Sequence, residues 1–420
     1  MSKLCVVILA AGEGKRMKSA VPKVLHEVCG KPLLSYVLGA ASSLKPAKTI
    51  VVLNPKRAQV RQVLNKKIAL AWQKEALGTA DAVSCAVKGI PVDCRDVMVL
   101  YGDTPMIQSR TVESLYREHR ETEAACTVLT AFLNDPRGYG RILRNDSGRF
   151  LAIVEEKDAT RTQKAIREVN TGLYCFKREE LLEGLSHVRP DNRSGEYYLT
   201  DVLSWLFRSG RKVETLVAED SREVLGVNSR RELLEASRVI RFRGLEAFME
   251  AGVFIEDPDS TFIAGDARIG KDTKIGPFTY IENNVVIGRG CSIGPFCHLR
   301  PGTVLADHVC IGNFAEVKNS SFQEGSVMHH LGYVGDTAVG RNVNIGAGVV
   351  VANFDGKTKN KTVIRDQAFV GSDAVLIAPV TIGKKSVVGA GSVVTRNHDV
   401  ADRCVVAGVP ARPVKISKHR

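Results

Sequence analysis

From residue 263 onward an aliphatic side chain returns every six residues: Ile263, Ile269, Ile275, Ile281, Ile287, Ile293, Leu299, Leu305, Ile311 and Val317, many of them followed by glycine. So many returns in a single frame leave no room for chance. A period of six fits neither the 3.6 residues of an α-helix nor the two of a simple strand. It fits a parallel β-helix with short flat sides, in which one inward aliphatic per side fills the core and each coil stacks on the next. The frame is expected to break at about 318–338 and to resume at Val339, Ile345 and Val351. It then continues at Val363, Phe369 and Val375 and slips by one residue to Ile382, Val388 and Val394. Interruptions of a repeat map to protruding loops, where binding residues gather. Stacking by itself needs no chemistry, however, and also suits a rigid spacer or a trimerisation prism.

The first half is patterned differently. Apolar runs at 5–9, 49–53, 97–100, 125–130 and 172–176 alternate with amphipathic stretches. That alternation predicts a Rossmann-like α/β domain: an open, mostly parallel sheet flanked by helices, with ligands at the carboxyl ends of the strands. Leu233, Leu234, Ala236, Val239 and Ile240 recur at helical spacing among arginines and glutamates, which predicts a linker helix. The expected division is therefore 1–228, a linker at 229–252, and the repeat domain at 253–420. The N-terminal apolar run leads into Gly12, Glu13, Lys15 and Arg16 rather than a cleavage site, so it reads as a buried strand and not a leader. Nowhere do eighteen apolar residues run together, so no membrane partner is expected.

Ten cysteines occur without a CxxC pair, which argues against a zinc site and a disulfide-stapled domain and predicts reduced thiols in a cytoplasmic protein. Cys291 and Cys297 fall at a small position of the repeat, where packing is their expected role. The net charge of +13 comes with no basic run of five or six residues and no interleaving of aromatics with arginines. Phosphorylated small substrates explain it better than nucleic acid.

Residues 9–23 read LAAGEGKRMKSAVPK, directly behind Val6, Val7, Ile8 and Leu9. Small residues let backbone N–H groups close on phosphate or base, and Arg16 and Lys23 are placed to neutralise anionic oxygens. The Walker pattern fails here, and so does GxGxxG, because Met17 stands at the third glycine. Taken alone, the glycines equally suit a tight strand-to-helix turn. Asp103, behind the run 97–100 and Tyr101-Gly102, is a hard oxygen ligand suited to Mg²⁺ between phosphates, or simply a turn residue.

The string with its following PKVLH resembles the signature of the sugar-1-phosphate nucleotidyltransferases. Joined to GYGRI (138–142), VEEKDA (154–159), VNTG (169–172), GEYYLTD (195–201) and GVNSR (226–230), it resembles the uridyltransferase half of a bacterial family. In that family N-acetylglucosamine-1-phosphate uridyltransferase is joined to glucosamine-1-phosphate acetyltransferase, and the likeness covers nearly the whole chain. It implies that Leu9, Ala10, Ala11, Gly12, Gln73, Gly78, Thr79, Tyr101 and Gly102 hold the uridine and its phosphates, with Gln73 reading the uracil edge. It further implies Arg16 and Lys23 on the triphosphate, and Asp103 and Asn228 on Mg²⁺. Gly140, Glu155, Asn170 and Thr200 would contact N-acetylglucosamine phosphate. The implied reaction is in-line attack of the sugar phosphate on UTP, with no general base nominated, because the nucleophile is already ionised.

VMHHLGYVGD, residues 327–336, resembles the acetyltransferase segment of the same family, with His330 as the base. An imidazole titrating near neutrality suits removal of a proton from an amine, although two adjacent histidines also suit a loop or half a metal site. The resemblance implies sugar-phosphate contacts at Arg300, Lys318, Tyr333 and Asn344, with Asn353 nearby. Acetyl-CoA contacts are implied at Ala347, Asn353, Phe354, Ser372 and Ala390. It implies a left-handed β-helix and a homotrimer whose site lies between neighbouring subunits. Three departures stand out. NFDG replaces NYDG at 353–356, and the arginine that commonly contacts coenzyme A falls at Gly408, with Arg412 as a substitute. The repeat is also about two coils short before Arg300. A uridyltransferase whose prism is purely structural, or a regulatory subunit of the same two-part build, would share the architecture.

Overall fold

The computed structural model describes residues 4–414. Two compact units divide the chain, 1–238 and 239–420. In the first, a sheet runs in the strand order Val213–Val217, Cys126–Phe132, Glu168–Lys177, Asp96–Tyr101, Leu4–Leu9, Lys48–Leu53, Ala69–Trp72. All neighbours on this path are parallel except Glu168–Lys177, which runs antiparallel to both of its partners. Leu4–Leu9 is buried on both faces, as its unbroken apolar run requires. Helices cover the sheet, so the loops after Leu9, Leu53, Trp72 and Tyr101 emerge together at its carboxyl edge. Among the described residues no helix is long and apolar enough to cross a membrane.

A helix at Arg230–Glu250 follows, where the spacing predicted one. Beyond it the chain winds into a left-handed parallel β-helix of two- to four-residue strands. A first face begins with Phe254–Ile255, a second with Phe262–Ile263 and a third with Arg268–Ile269. Corresponding residues of successive coils lie 18 apart, as in Tyr280 beside His298 and Val286 beside Val304, which is three six-residue sides. The aliphatics of the repeat point inward and are almost fully buried, and Cys291 and Cys297 pack among them.

Two expectations about the repeat are corrected. The frame does break at 318–338, but through two five-residue sides, Val317 to Phe322 and Val334 to Val339, and not through a protruding loop: Phe322, Met328 and Val334 continue the inward row, with Glu316 opposite Tyr333. The real insertion lies at 353–361, where Asn344 pairs with Phe369, 25 positions on instead of 18. After it the inward residues are Ile364, Val370 and Leu376, in frame with Ile382, Val388 and Val394, so there is no slip at 382. Val363 and Phe369 point outward, 39% and 46% exposed. Two adjacent apolar residues at each of these strands left the inward one undetermined from sequence.

Candidate active sites

The chain leaves Leu9 at the carboxyl edge and folds back at Gly14, whose φ is 65°. A Cβ there would stand 2.9 Å from the Lys23 Cβ, so glycine allows the loop to close over Lys23. Leu9, Ala10, Ala11, Gly12, Lys23, Gln73, Gly78, Thr79, Tyr101 and Asp103 line one cavity. Gln73 is buried, and its Nε2 donates to the Gly78 carbonyl at 3.0 Å and to Asp81 Oδ2 at 2.8 Å. Its amide hydrogens are thus taken up internally, leaving the carbonyl oxygen as an acceptor for a ring N–H such as that of uracil. Asp81 is a positioning residue that sequence reasoning missed; its only signal was a carboxylate in the first turn of the helix Thr79–Ala86. Gly102 acts from behind: its N–H donates to the Leu9 carbonyl at 2.9 Å, and it packs on Ala10.

A second cavity shares Thr79, Tyr101, Asp103 and Glu196 with the first, so the two are continuous. It is lined by Arg16, Gly140, Glu155, Asn170, Thr200 and Asn228, together with Tyr139 and Tyr198, which lie in the quoted strings without an assigned role, and Arg137, which lies outside them. Asn170 is fixed by donating to Tyr174 Oη at 2.7 Å and by accepting from the Gly172 N–H at 3.1 Å. Gly172 has φ 81°, and a Cβ on it would overlap the Tyr101 ring. Glu155 accepts from Thr200 Oγ1 at 3.2 Å; burial pushes its carboxyl above the ordinary range, and Asp201, Asp158 and Glu196 add to the shift.

Where the cavities meet, the Lys23 ammonium forms an ion pair with Asp103 and donates to Asn228 Oδ1 at 2.9 Å. Two oxygens 125 residues apart in sequence therefore converge on one cation-sized position. The donor set of carboxylate plus amide oxygen gathered around the ammonium suits Mg²⁺. The residues present could therefore hold that metal.

In the β-helix, the residues carried over to acetyl transfer fall on two corners. His330 lies at the corner between the first and second faces, in the turn joining Val327–Met328 to Gly332–Gly335. Ala347, Ser372, Ala390 and Gly408 occupy that same corner in successive coils. Main-chain bonds stitch the corner together: Gly348 N–H to the Leu331 carbonyl at 2.8 Å, Asp373 to Ala347 at 2.7 Å, and Gly391 to Ser372 at 2.8 Å. An exposed imidazole thus begins a column of small residues that leaves the backbone open to close approach. His329 is engaged elsewhere, its Nδ1 3.3 Å from Cys310 Sγ. Arg412 stands opposite Ala407 in the final strand pair, beside the end of this corner.

Arg300, Lys318 and Asn353 belong instead to the corner between the second and third faces, with Tyr333 on the second face between them and His330. Arg300 Nη1 donates to Glu316 Oε1 at 2.7 Å. Asn353 Nδ2 donates to Asp336 at 2.5 Å and lies 3.5 Å from Tyr333 Oη. Lys359, which sequence reasoning missed, lies against Lys318; its ammonium, with the Arg300 guanidinium, pushes the Lys318 ammonium downward. Lys359 rides on the 353–361 insertion, bridged to Phe354 and braced by Asp355, which accepts from the Lys357 and Thr358 N–H groups at 3.0 and 2.8 Å. Phe354 therefore stands with the cations and not in the column of Ala347, Ser372 and Ala390. Asn344 lies on the first face, paired with Val327 and Phe369.

Comparison with known proteins agrees with this division. A MobA-like NTP transferase domain matches residues 6–170, and bacterial transferase hexapeptide repeats match 266–300, 284–319 and 361–396. A protein of Heliobacterium modesticaldum named Bifunctional protein GlmU is 45% identical over 430 residues, covering 94% of each chain. Proteins of the same name from Brevibacillus brevis and Carboxydothermus hydrogenoformans are 40% and 42% identical, covering 96% and 98% of this chain and 95% and 98% of their own.

Proposed function

This chain belongs to the bifunctional GlmU family, and we propose that it makes UDP-N-acetylglucosamine in two steps, acetylation and then uridylyl transfer. Residues 1–228 carry the nucleotidyltransferase, 229–252 the helical linker and 253–420 the acetyltransferase. The observation that carries this reading is the coexistence of two constellations in one chain. One is a cavity pair meeting at Asp103 and Asn228; the other is an exposed His330 heading a column of small residues.

In the prism, the amine of glucosamine-1-phosphate attacks the acetyl thioester, His330 takes the amine proton, the C–S bond breaks, and the departing sulfur receives that proton so that coenzyme A leaves as the thiol. Arg300, Lys318 and Lys359 hold the sugar phosphate. In the first unit, Gln73 orients uracil, while Glu155, Asn170 and Thr200 hold N-acetylglucosamine-1-phosphate. The sugar-phosphate oxygen attacks the α-phosphorus of UTP in line, and pyrophosphate departs into the field of Arg16 and Lys23. Mg²⁺ held by Asp103 and Asn228 would neutralise charge on the phosphates. Lys23, which here pairs with Asp103, would be free to face the triphosphate if that ion were bound.

The assembly we favour is a homotrimer. Within one chain the cationic set and the imidazole corner stand on different edges of a face, so a neighbouring copy would complete the site. Supporting this, Phe278, Phe296 and Phe314 stack along the imidazole corner at 4.7 and 5.1 Å between ring centroids while remaining 45–60% exposed. The cytoplasm, where UTP and acetyl-CoA are found, is the proposed location. The deciding experiment is thiol release from acetyl-CoA with glucosamine-1-phosphate, alongside pyrophosphate release from UTP, by wild type and His330→Ala. Thiol release lost in the variant alone supports two sites. No thiol release by wild type, with pyrophosphate release intact, would reduce the prism to a scaffold.

A further inference from the structure

A third cavity opens on the outer side of the 10–14 loop, sharing Ala11 and Ala76 with the uridine cavity but none of the Arg16, Lys23 and Asp103 group. Its lining carries five cations, Lys15, Lys18, Lys56, Arg57 and Lys74, against two carboxylates, Glu13 and Glu75. Such an excess around one concavity focuses a positive field into it. The cations come from three separate loops, after Leu9, Leu53 and Trp72, and the three are tied to one another. Asn54, 6% exposed, accepts from the Lys56 N–H at 2.9 Å and reaches the Lys74 carbonyl at 3.5 Å. Arg57 Nη2 donates to the Glu13 carbonyl at 3.1 Å. Only Lys15 spends its charge locally, on Glu13 at 2.7 Å. The fields of Lys56 and Arg57 also reach Glu13, which is held below the ordinary carboxylate range chiefly by Lys15.

We propose that this basin is a second anion site, outside the nucleotide's own, that takes a small polyphosphate such as inorganic pyrophosphate. A compact, multiply charged anion without a base or sugar matches it: the lining offers several ammonium and guanidinium donors, and the acceptor that would read a ring lies in the neighbouring cavity. Occupied, it would hold the 10–14 loop closed over the adjoining cavity, so a polyphosphate there slows nucleotide exchange without competing for the nucleotide's place. The inference rests on the UTP assignment only for the choice of nucleotide used to fill the neighbouring cavity.

The test is calorimetric titration of inorganic pyrophosphate into the full-length protein saturated with the α,β-imido analogue of UTP, which fills the triphosphate positions without turning over. We expect one further equivalent to bind, and Lys56→Ser/Arg57→Ser/Lys74→Ser to weaken it about tenfold, the sum of three modest exposed pairings. Affinity for the UTP analogue should stay within about threefold, since only peripheral screened charges change. No binding to the analogue-loaded wild type overturns the proposal, and so does binding that the triple variant retains. Failure of the analogue itself to bind would sink the UTP assignment instead. Pyrophosphate titrated into the bare wild type and triple variant then still decides the basin.

Discussion

Lys23 and Asp103, 80 residues apart in sequence, form an ion pair at the point where the two cavities of the first unit meet. The pair couples the basic loop to the strand Asp96–Tyr101 and reserves a cation position between two oxygens. Removing the carboxylate leaves Lys23 facing Asn228 alone. Asp103→Ala should lower uridylyl transfer by at least roughly 10²–10³-fold, as expected for loss of charge stabilisation at a transferring phosphoryl group. Thiol release from acetyl-CoA should be unchanged. Pyrophosphate release at saturating Mg²⁺ and UTP checks this, and parallel loss of both activities in folded protein would mean that the sites are not separate.

His330 gives the reciprocal case. His330→Ala should reduce acetyl transfer by about 10²–10⁴, the range for a positioned general base, and leave uridylyl transfer intact. His329, held against Cys310, should tolerate His329→Ala with a much smaller loss. Thiol release measured for both variants separates the two histidines; equal losses would mean that neither ring is specifically the base.

Much of this arrangement was legible from sequence, and the parts that were not have two causes. Asp103 follows the strand Asp96–Tyr101 and Asn228 precedes the helix Arg230–Glu250, each inside a local string that carries it. Asp81 and Lys359 act on other side chains across a turn or an insertion, and no string announces a contact that exists only after folding. The frame error at Val363, Phe369 and Val375 has another origin. Each is followed by a second aliphatic, and which of the two faces inward is decided by how many residues the 353–361 insertion adds to the coil. The frame break at 318–338 is two coils each shortened by one residue, so His330 lies at an ordinary corner and not on a protruding loop.

Glu155 supplies a pH prediction. Its folded-state carboxyl lies above its ordinary 4.5, through burial first, so between that value and the raised one the folded protein holds a proton that the unfolded chain has released. Stability from this group is present below pH 4.5 and is lost as pH rises through the raised value. Glu155→Gln, which cannot ionise, should therefore be more stable than wild type near pH 7, with the difference shrinking in acid. Its KM for N-acetylglucosamine-1-phosphate should rise roughly tenfold, from the weakened hydrogen bonding. Thermal melts across pH, paired with KM, test both signs; a variant no more stable at pH 7 would contradict the desolvation account.

Lys359 extends the cationic set beyond the motif residues. Two ammonium groups and a guanidinium held together repel one another until an anion arrives, and Lys318 registers that repulsion. Lys359→Ala should raise KM for glucosamine-1-phosphate about tenfold with little change in kcat, and flatten its dependence on salt. A kcat loss with unchanged KM would instead place the 353–361 insertion in the chemistry.

Arg412 bears on the departure at Gly408. Gly408 closes the imidazole corner, its carbonyl accepting from the Val393 N–H at 3.0 Å and its own N–H donating to Ser392 Oγ at 3.1 Å. It carries no side chain to meet an anionic cofactor. Arg412 returns to this end of the column because its short strand runs antiparallel to Val405–Ala407. A guanidinium there would meet the phosphates of coenzyme A, while the pantetheine arm lies along Ala390, Ser372 and Ala347. Arg412→Ala should raise KM for acetyl-CoA roughly three- to tenfold, the scale of one exposed charge pairing, without altering KM for glucosamine-1-phosphate. Gly408→Arg is not a clean rescue, because at φ 97° a side chain there is strained; the cleaner comparison is Arg412→Lys, which keeps the charge and should hold KM near wild type. An Arg412→Ala enzyme with unchanged acetyl-CoA affinity would mean that Arg412 does not substitute for the arginine missing at Gly408.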